Sequence, residues 1–237
     1  MNPHLSLCLT LLASSVAAQA LVVPIQQRTD LGADDLLDWS AAGAPFDAVG
    51  SSAIATAGGA SVTLAMPNGT ALVRVDEGDV VVDGWTGNFT PGEALVWTDL
   101  EPGPLSLHFA SPIRGGGAQI QSQVPGPFTA SIQAFSLSGS LLATFTRQGD
   151  STFAQDGSAL FLGLLSDTAE ISRISFTVTA SSDTGIPPLV DFALNQVSLV
   201  LGPKGVPDCD STGCTVASLF GLMLACRALG GARRNEA

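Results

Sequence analysis

The sequence predicts an all-β chain: an antiparallel two-sheet sandwich, jelly-roll-like, flanked by an N-terminal signal helix and a C-terminal membrane helix. Three observations predict it. Between Leu21 and Gly205, short runs alternate apolar and polar residues, the period of a half-buried strand. Gly, Pro, Asn and Asp break these runs at intervals of roughly ten residues, the spacing of a sandwich or barrel rather than of helices. About ten such runs occur, more than one open twisted sheet accommodates without curling, so two packed sheets are the natural solution.

Residues 1–20 read as a secretory signal peptide. Leu5 to Leu12 form a short apolar stretch, and Ala18-Gln19-Ala20 has the small-residue pattern of a cleavage site. The run is too short to span a bilayer, which takes about 20 residues. Its leading segment carries no Lys or Arg, only His4 and the amino terminus.

Residues 21–205 form the predicted β-sandwich domain. Its runs are Val62 to Met66, Ala71 to Val75, Ala94 to Trp97, Leu105 to Phe109, Ala118 to Gln121, Phe128 to Ala134, Leu141 to Thr146, Leu160 to Leu165, Ile174 to Thr179 and Phe192 to Leu201. Leu105, Leu107 and Phe109 point inward and His108 outward. Phe128, Ala130, Ile132 and Ala134 share a face opposite Thr129, Ser131 and Gln133, and Ile174, Phe176 and Val178 form a third apolar set. The last run contradicts itself: Phe192 and Leu194 are apolar on one phase, Val197, Leu199 and Leu201 on the other. One inserted residue reconciles them, which predicts a β-bulge near Asn195-Gln196.

Composition narrows the function classes. The chain has 237 residues, 13% of them charged, with a formal charge of −12 from 9 basic and 21 acidic residues. That charge argues against nucleic acid, whose phosphates call for Lys and Arg patches. The low charged fraction and the 46% hydrophobic content exclude a charged disordered chain. Cys8 lies in the signal segment and Cys209, Cys214 and Cys226 near the C-terminus, so the domain between has neither a disulfide nor a thiolate metal site.

Residues 206–237 read as a sorting or anchor segment. Val206-Pro207-Asp208-Cys209-Asp210-Ser211-Thr212 precedes the 13-residue apolar stretch Cys214 to Cys226, and Arg227, Arg233 and Arg234 follow. Thirteen residues are short for a core about 30 Å thick, and adding Ala228 to Ala232 lengthens the helix if Arg227 snorkels to the interface. Positive charge only after the apolar run fits a cytoplasmic tail with everything before it exported.

This order resembles the PEP-CTERM sorting tails of bacterial surface proteins, in the variant with a Val-Pro-Asp-x-x-Ser-Thr motif. The matching residues are Val206, Pro207, Asp208, Ser211 and Thr212, with Asp210 where relatives usually have Gly. The resemblance implies recognition in the membrane by an exosortase-like enzyme that cleaves and transfers the protein, in bacteria that often make exopolysaccharide. An ordinary single-pass anchor is the alternative. Trp85 to Gly92, Gly117 to Gln121, Gly126 to Ala130, Ala134-Phe135, Asp156 to Gly163 and Asp191 to Asn195 are also similar to a recurring exported domain of PEP-CTERM proteins. That likeness implies a β-sandwich and a surface or matrix location, with no established activity.

The residues themselves offer little catalytic chemistry. His108 is the domain's single histidine, it reads as a solvated strand residue, and no Gly-x-Ser-x-Gly elbow occurs. Glu77, Glu93, Glu101 and Glu170 include no pair marked out for glycoside hydrolysis, so a glycan-active hydrolase is the weakest alternative. No cofactor motif occurs. A structural calcium ion is the inorganic partner that the oxygen-rich segments Asp76-Glu77-Gly78-Asp79 and Asp150 to Asp156 would suit, although they lack EF-hand spacing.

Carbohydrate binding is the reading the residues favour, with exopolysaccharide as the partner. Sugar sites need a flat aromatic face with amide and carboxylate groups beside it, and Asp83, Trp85 and Asn88 supply these within six residues. The plain alternative packs Trp85, like Trp39 and Trp97, at an edge of the core. The competing class is a structural or adhesive surface scaffold, whose outward faces would carry Gln119, Gln121, Gln123, Ser131, Gln133, Thr177 and Thr179.

Overall fold

The computed structural model describes residues 21–180 and 191–202. The signal segment at 1–20 and the motif, apolar run and basic end at 206–237 lie outside the described residues. Among those described, no helix is long and apolar enough to cross a membrane.

The strands are β1 (Val22–Ile25), β2 (Asp35–Leu37), β3 (Ala48–Val49), β4 (Ile54–Ala55), β5 (Ser61–Ala65), β6 (Leu72–Glu77), β7 (Gly84–Trp85) and β8 (Ala94–Trp97). They continue as β9 (Leu105–Ile113), β10 (Gly115–Ser122), β11 (Gly126–Phe135), β12 (Leu141–Ser151), β13 (Leu160–Ser166), β14 (Ile171–Ala180), β15 (Phe192–Leu194) and β16 (Val197–Val200). Every run anticipated from alternation contains a strand. Three single-turn 3-10 helices, Arg28–Leu31, Trp39–Ala42 and Pro67–Gly69, link the early elements.

Two sheets result. The larger has the order β1-β13-β10-β15-β8-β6-β3, with β16 also beside β10, β2 beside β16 and β7 beside β6; the smaller is β12-β11-β14-β9-β5-β4. All pairs are antiparallel except β6 with β7, which departs from the purely antiparallel expectation. A tight turn at 79–83, closed by Asp83 N–H donating to Asp79 O at 2.7 Å, returns the chain alongside β6 in the same direction.

The main core lies between the sheets. Phe128, Ile132, Ile174, Phe176, Leu105 and Leu107 of the smaller sheet meet Ile120, Leu162, Leu164, Leu194, Val197 and Leu199 of the larger. The opposite face of the smaller sheet carries the anticipated polar row, with His108 exposed.

The larger sheet behaves differently, because both of its faces are covered. Val75, Leu95 and Ala193 point away from the main core and form a second apolar cluster with Trp85, Phe89 and Ala159. Leu31 packs over Phe161 and Val200 in a third. Fully burying a side chain such as Trp85 or Phe89 is worth on the order of 2–3 kcal/mol, which draws segment 78–93 back onto the sheet. Gln121, expected on a solvated face, is therefore 1% exposed, and Gln119 is half-buried.

The bulge stands where the sequence places it. Gly117 pairs with Ser198 and Ile120 with Leu194. Two residues separate the β10 positions, whereas Asn195, Gln196 and Val197 separate their partners, so one residue is extra. The Asn195 side chain repairs the interrupted ladder: its Oδ1 accepts from Gln119 N–H at 2.9 Å and its Nδ2 donates to Gln119 Oε1 at 2.7 Å.

Candidate functional site

Segments 78–93 and 152–159 cross the outer face of the larger sheet and leave a groove of about 420 Å³ between them, lined by Val80, Gly84, Trp85, Thr86, Gln123 and Phe153. The indole of Trp85 is its floor, held edge-on to Trp97 at 6.3 Å and tilted against Phe89 at 6.5 Å between ring centroids. Gly84 has φ +97°, and a Cβ there would lie 2.7 Å from Val75, so only glycine lets the chain settle this close to β6. Thr86 Oγ1 donates to Gly78 O at 2.6 Å. Gln123, with its amide nitrogen turned inward, donates to the two Asp191 carboxylate oxygens at 2.9 and 3.0 Å.

Asp191 itself is buried and accepts from Trp97 Nε1 at 2.7 Å and Leu100 N–H at 3.1 Å. Burial pushes its carboxyl above the ordinary value against those hydrogen bonds. The groove has exposed apolar residues in Val80 and Phe153, 57% and 62% exposed, and Val81 and Val82 next to Val80 are 82% and 68% exposed.

The structure redistributes the residues singled out from sequence. Trp85 is 2% exposed and offers no free ring face; the plain alternative of a core tryptophan is the observed one. Asn88 is a clamp between the two covering segments. Its Oδ1 accepts from Gln121 Nε2 at 2.8 Å and Thr152 N–H at 2.7 Å, and its Nδ2 donates to Ser158 Oγ at 2.8 Å. Asp83 accepts from Asp79 N–H at 2.8 Å and closes the 79–83 turn. Phe153, the exposed aromatic beside the groove, is the residue that sequence reasoning missed. Its signal was a lone Phe in a polar loop, outside any alternating run.

Beneath segment 78–93 lies a closed polar layer. Glu77 is buried, its Oε1 accepts from Gly87 N–H at 2.7 Å, and its Oε2 has no partner. Desolvation raises its pKa to about 7, with the neighbouring Glu93 adding to the rise against backbone hydrogen bonds from Gly87 and Phe89. Glu93 accepts from Asn195 Nδ2 at 2.7 Å and from Thr90 N–H at 3.1 Å. These carboxylates hold loops together, and no carboxylate lines the groove, so paired acid–base chemistry has no footing in it. His108 stands across from Arg173 in the β9–β14 register and no carboxylate hydrogen-bonds it among the described residues.

In the acidic segments considered for calcium, several carboxylates are engaged within the turns. Arg74 Nη1 sits 2.6 Å from Asp76 Oδ1, a charge contact outside hydrogen-bond geometry. Asp79 accepts from Val81 N–H at 2.8 Å and Asp156 from Ser158 N–H at 3.0 Å. Among the described residues, no three His, Cys, Asp or Glu side chains converge on a common point. The turns' own amides occupy part of the oxygen set that a cation would use.

No protein-family model and no curated protein matches the chain. Among solved structures it is similar to a DUF4465 family protein from Bacteroides caccae, with 12% identity and a TM-score of 0.39 over 76% of this chain and 99% of that one. It is also similar to TmCBM61, solved in complex with β-1,4-galactotriose, with 9% identity and a TM-score of 0.30 over 59% of this chain and 88% of that one.

Proposed function

We propose that the chain is an exported, jelly-roll-like sandwich retained at the cell surface or in its matrix, where it binds exopolysaccharide through the groove beside Phe153. The observation that carries the reading is the apolar rim: two of the exposed large hydrophobic residues, Val80 and Phe153, line one groove, and the exposed Val81 and Val82 continue the chain from it. Exposed apolar surface gathered at one place marks an interaction site. A pyranose ring presents an apolar C–H face to an aromatic ring and hydroxyls at its edge, and here Thr86 and Gln123 flank the rings. Binding proceeds without hydrolysis. Export and retention rest on the sequence: the short leading apolar run, the Val206-Pro207-Asp208-x-x-Ser211-Thr212 motif, and the apolar stretch closed by Arg227, Arg233 and Arg234. An exosortase-like enzyme is the processing partner that this tail fits.

A second reading, a surface scaffold, is favoured by the opposite face of the sandwich. Ser131, Gln133 and Thr177 lie there at half-buried positions beside exposed Thr179, a nearly uncharged plane suited to packing against polysaccharide or neighbouring subunits.

The test is retention of the protein on a matrix of exopolysaccharide from the producing cells, compared with Phe153→Ala at matched folding. The groove reading expects retention to fall at least tenfold; equal retention removes it. Mass spectrometry of the mature protein reads both processing sites and tests the address independently.

A further inference from the structure

On the far side of segment 152–159 from Phe153 lies a second pocket, of about 300 Å³, at the low end of the roughly 300–1,000 Å³ of small-molecule sites. Its character is opposite to that of the groove. Arg28 and Arg147 line it, with Gln26, Gln27, Ser158 and Phe161, and no carboxylate does. The described residues contain five arginines, so two of the five converge on one pocket in a chain of charge −12. Arg74 has Asp76 at 2.6 Å, whereas neither Arg28 nor Arg147 has a carboxylate partner within salt-bridge distance among the described residues. Neither guanidinium is paired directly with a carboxylate, although Glu93 acts on Arg28 from beyond Asn195, and the two together give the pocket a local positive potential on a strongly acidic protein.

Both guanidinium groups are held in place. Arg28 Nη1 donates to Gln196 O at 3.2 Å and Ser198 Oγ at 2.8 Å, and its Nη2 to Asn195 Oδ1 at 2.8 Å. Arg147 Nη1 donates to Gln26 O at 3.1 Å and Phe161 O at 2.9 Å. Among the described residues, Arg147 Nε and Nη2, and Arg28 Nε, have no acceptor, and these atoms are not buried. A guanidinium whose position is already set loses little freedom when it binds a planar anion with its remaining N–H groups.

The pocket wall explains an oddity of the sequence. Phe161 packs against the glycines of β10 and β13: a Cβ on Gly117 would meet its ring at 2.7 Å, and one on Gly163 at 3.0 Å. Arg28 Cζ stands over the ring, 5.5 Å from its centroid. Asp156, beside the lining residue Gly157, is turned to the Ser158 N–H at 3.0 Å.

We propose that this pocket is an acidic-sugar site, in which Arg28 and Arg147 hold the carboxylate of a hexuronate residue while Gln26, Gln27 and Ser158 face its hydroxyls. It is separate from the Phe153 groove and does not depend on it.

The test is calorimetric titration of the intact protein with an oligouronate and with the neutral oligosaccharide of equal length. Wild type is expected to prefer the acidic probe by at least tenfold, with a preference that shrinks as salt rises. Arg147→Ala should remove that preference, while Arg173→Ala, which deletes an equal charge stacked on Phe135 outside the pocket, should change it less than twofold. Gln27→Glu keeps both arginines and their hydrogen bonds but adds a competing carboxylate, and should abolish acidic binding without lowering the melting temperature. Equal affinity for the two probes, unchanged binding by Arg147→Ala and Gln27→Glu, or displacement of the oligouronate by inorganic phosphate at equal concentration would each overturn the assignment. Loss of neutral-glycan retention in Phe153→Ala tests the other groove and leaves these outcomes untouched.

Discussion

Glu77 gives the fold a dependence on pH that can be worked from its surroundings. Its carboxyl has a pKa of about 7 in the folded protein against 4.5 when solvated. The folded state therefore retains a proton that the unfolded chain releases between those values. The resulting stability is complete below pH 4.5 and is lost as pH rises through 7. At 1.36 kcal/mol per pH unit, the displacement is worth up to about 3 kcal/mol, or a melting shift of about 6–12 °C for a chain of this size. Asp191, also raised by burial, adds in the same direction. His108, lowered by burial and by Arg173, acts in the opposite sense below its solvated value. Glu77→Gln isolates the first contribution, because Gln keeps an acceptor for the Gly87 N–H and carries no charge at any pH. Melting of both proteins by circular dichroism from pH 4.5 to 8.5 is the assay. Wild type should lose about 6–12 °C more than Glu77→Gln across that range. Parallel profiles would refute the reasoning and place Glu77 in contact with solvent.

Other perturbations separate packing from binding. Trp85→Ala empties the second apolar cluster and should cost about 3–5 kcal/mol in urea unfolding, whereas Phe153→Ala should stay within about 0.5 kcal/mol of wild type. Gly117→Ala would bring a Cβ to 2.6 Å from Leu162 O and 2.7 Å from Gly163 Cα, backbone that cannot yield, and should destabilise by about 1–3 kcal/mol. Asn195→Ala leaves Gln119, Glu93 and Arg28 without their shared partner and should cost about 3 kcal/mol by the same unfolding assay. Millimolar calcium should leave the melting temperature within about 1 °C, since a ligand that does not bind the folded state cannot stabilise it.

The smaller sheet was the legible one. One face of β11, β14 and β9 is buried and the other polar, so period two in Phe128 to Ala134 reads directly as burial. Even the bulge at Asn195 was visible, because a change of apolar phase has no other economical solution in a strand. The larger sheet was harder for a physical reason: with both faces covered, β10 and β16 are almost wholly buried, and alternation no longer reports which way a side chain points. The run read from Ala118 to Gln121 starts three residues earlier, since Gly115 to Gly117 open β10 where Leu164, Ile174 and Phe161 leave no room for side chains. Trp85 and Asn88, grouped in the sequence as one sugar-binding loop, have separate tasks: Trp85 packs on Phe89 and Trp97, and Asn88 ties Gln121 to Thr152 and Ser158. Whether an indole in a Gly-rich loop faces water or folds back depends on what apolar surface lies beneath it, and Val75, Leu95 and Ala193 come from three separate strands. The pairing of Arg28 with Arg147 likewise depends on β12 passing close to β13 and β1, contacts distant in sequence.

The most direct test of the glycan-binding account is hydroxyl-radical footprinting of the protein with and without saturating exopolysaccharide. The account predicts protection of Phe153 and of Val80 to Val82, with His108 and Phe135 on the opposite sheet unchanged. Protection of His108 and Phe135 with Phe153 still fully reactive would contradict it and make the polar face of the smaller sheet the working surface.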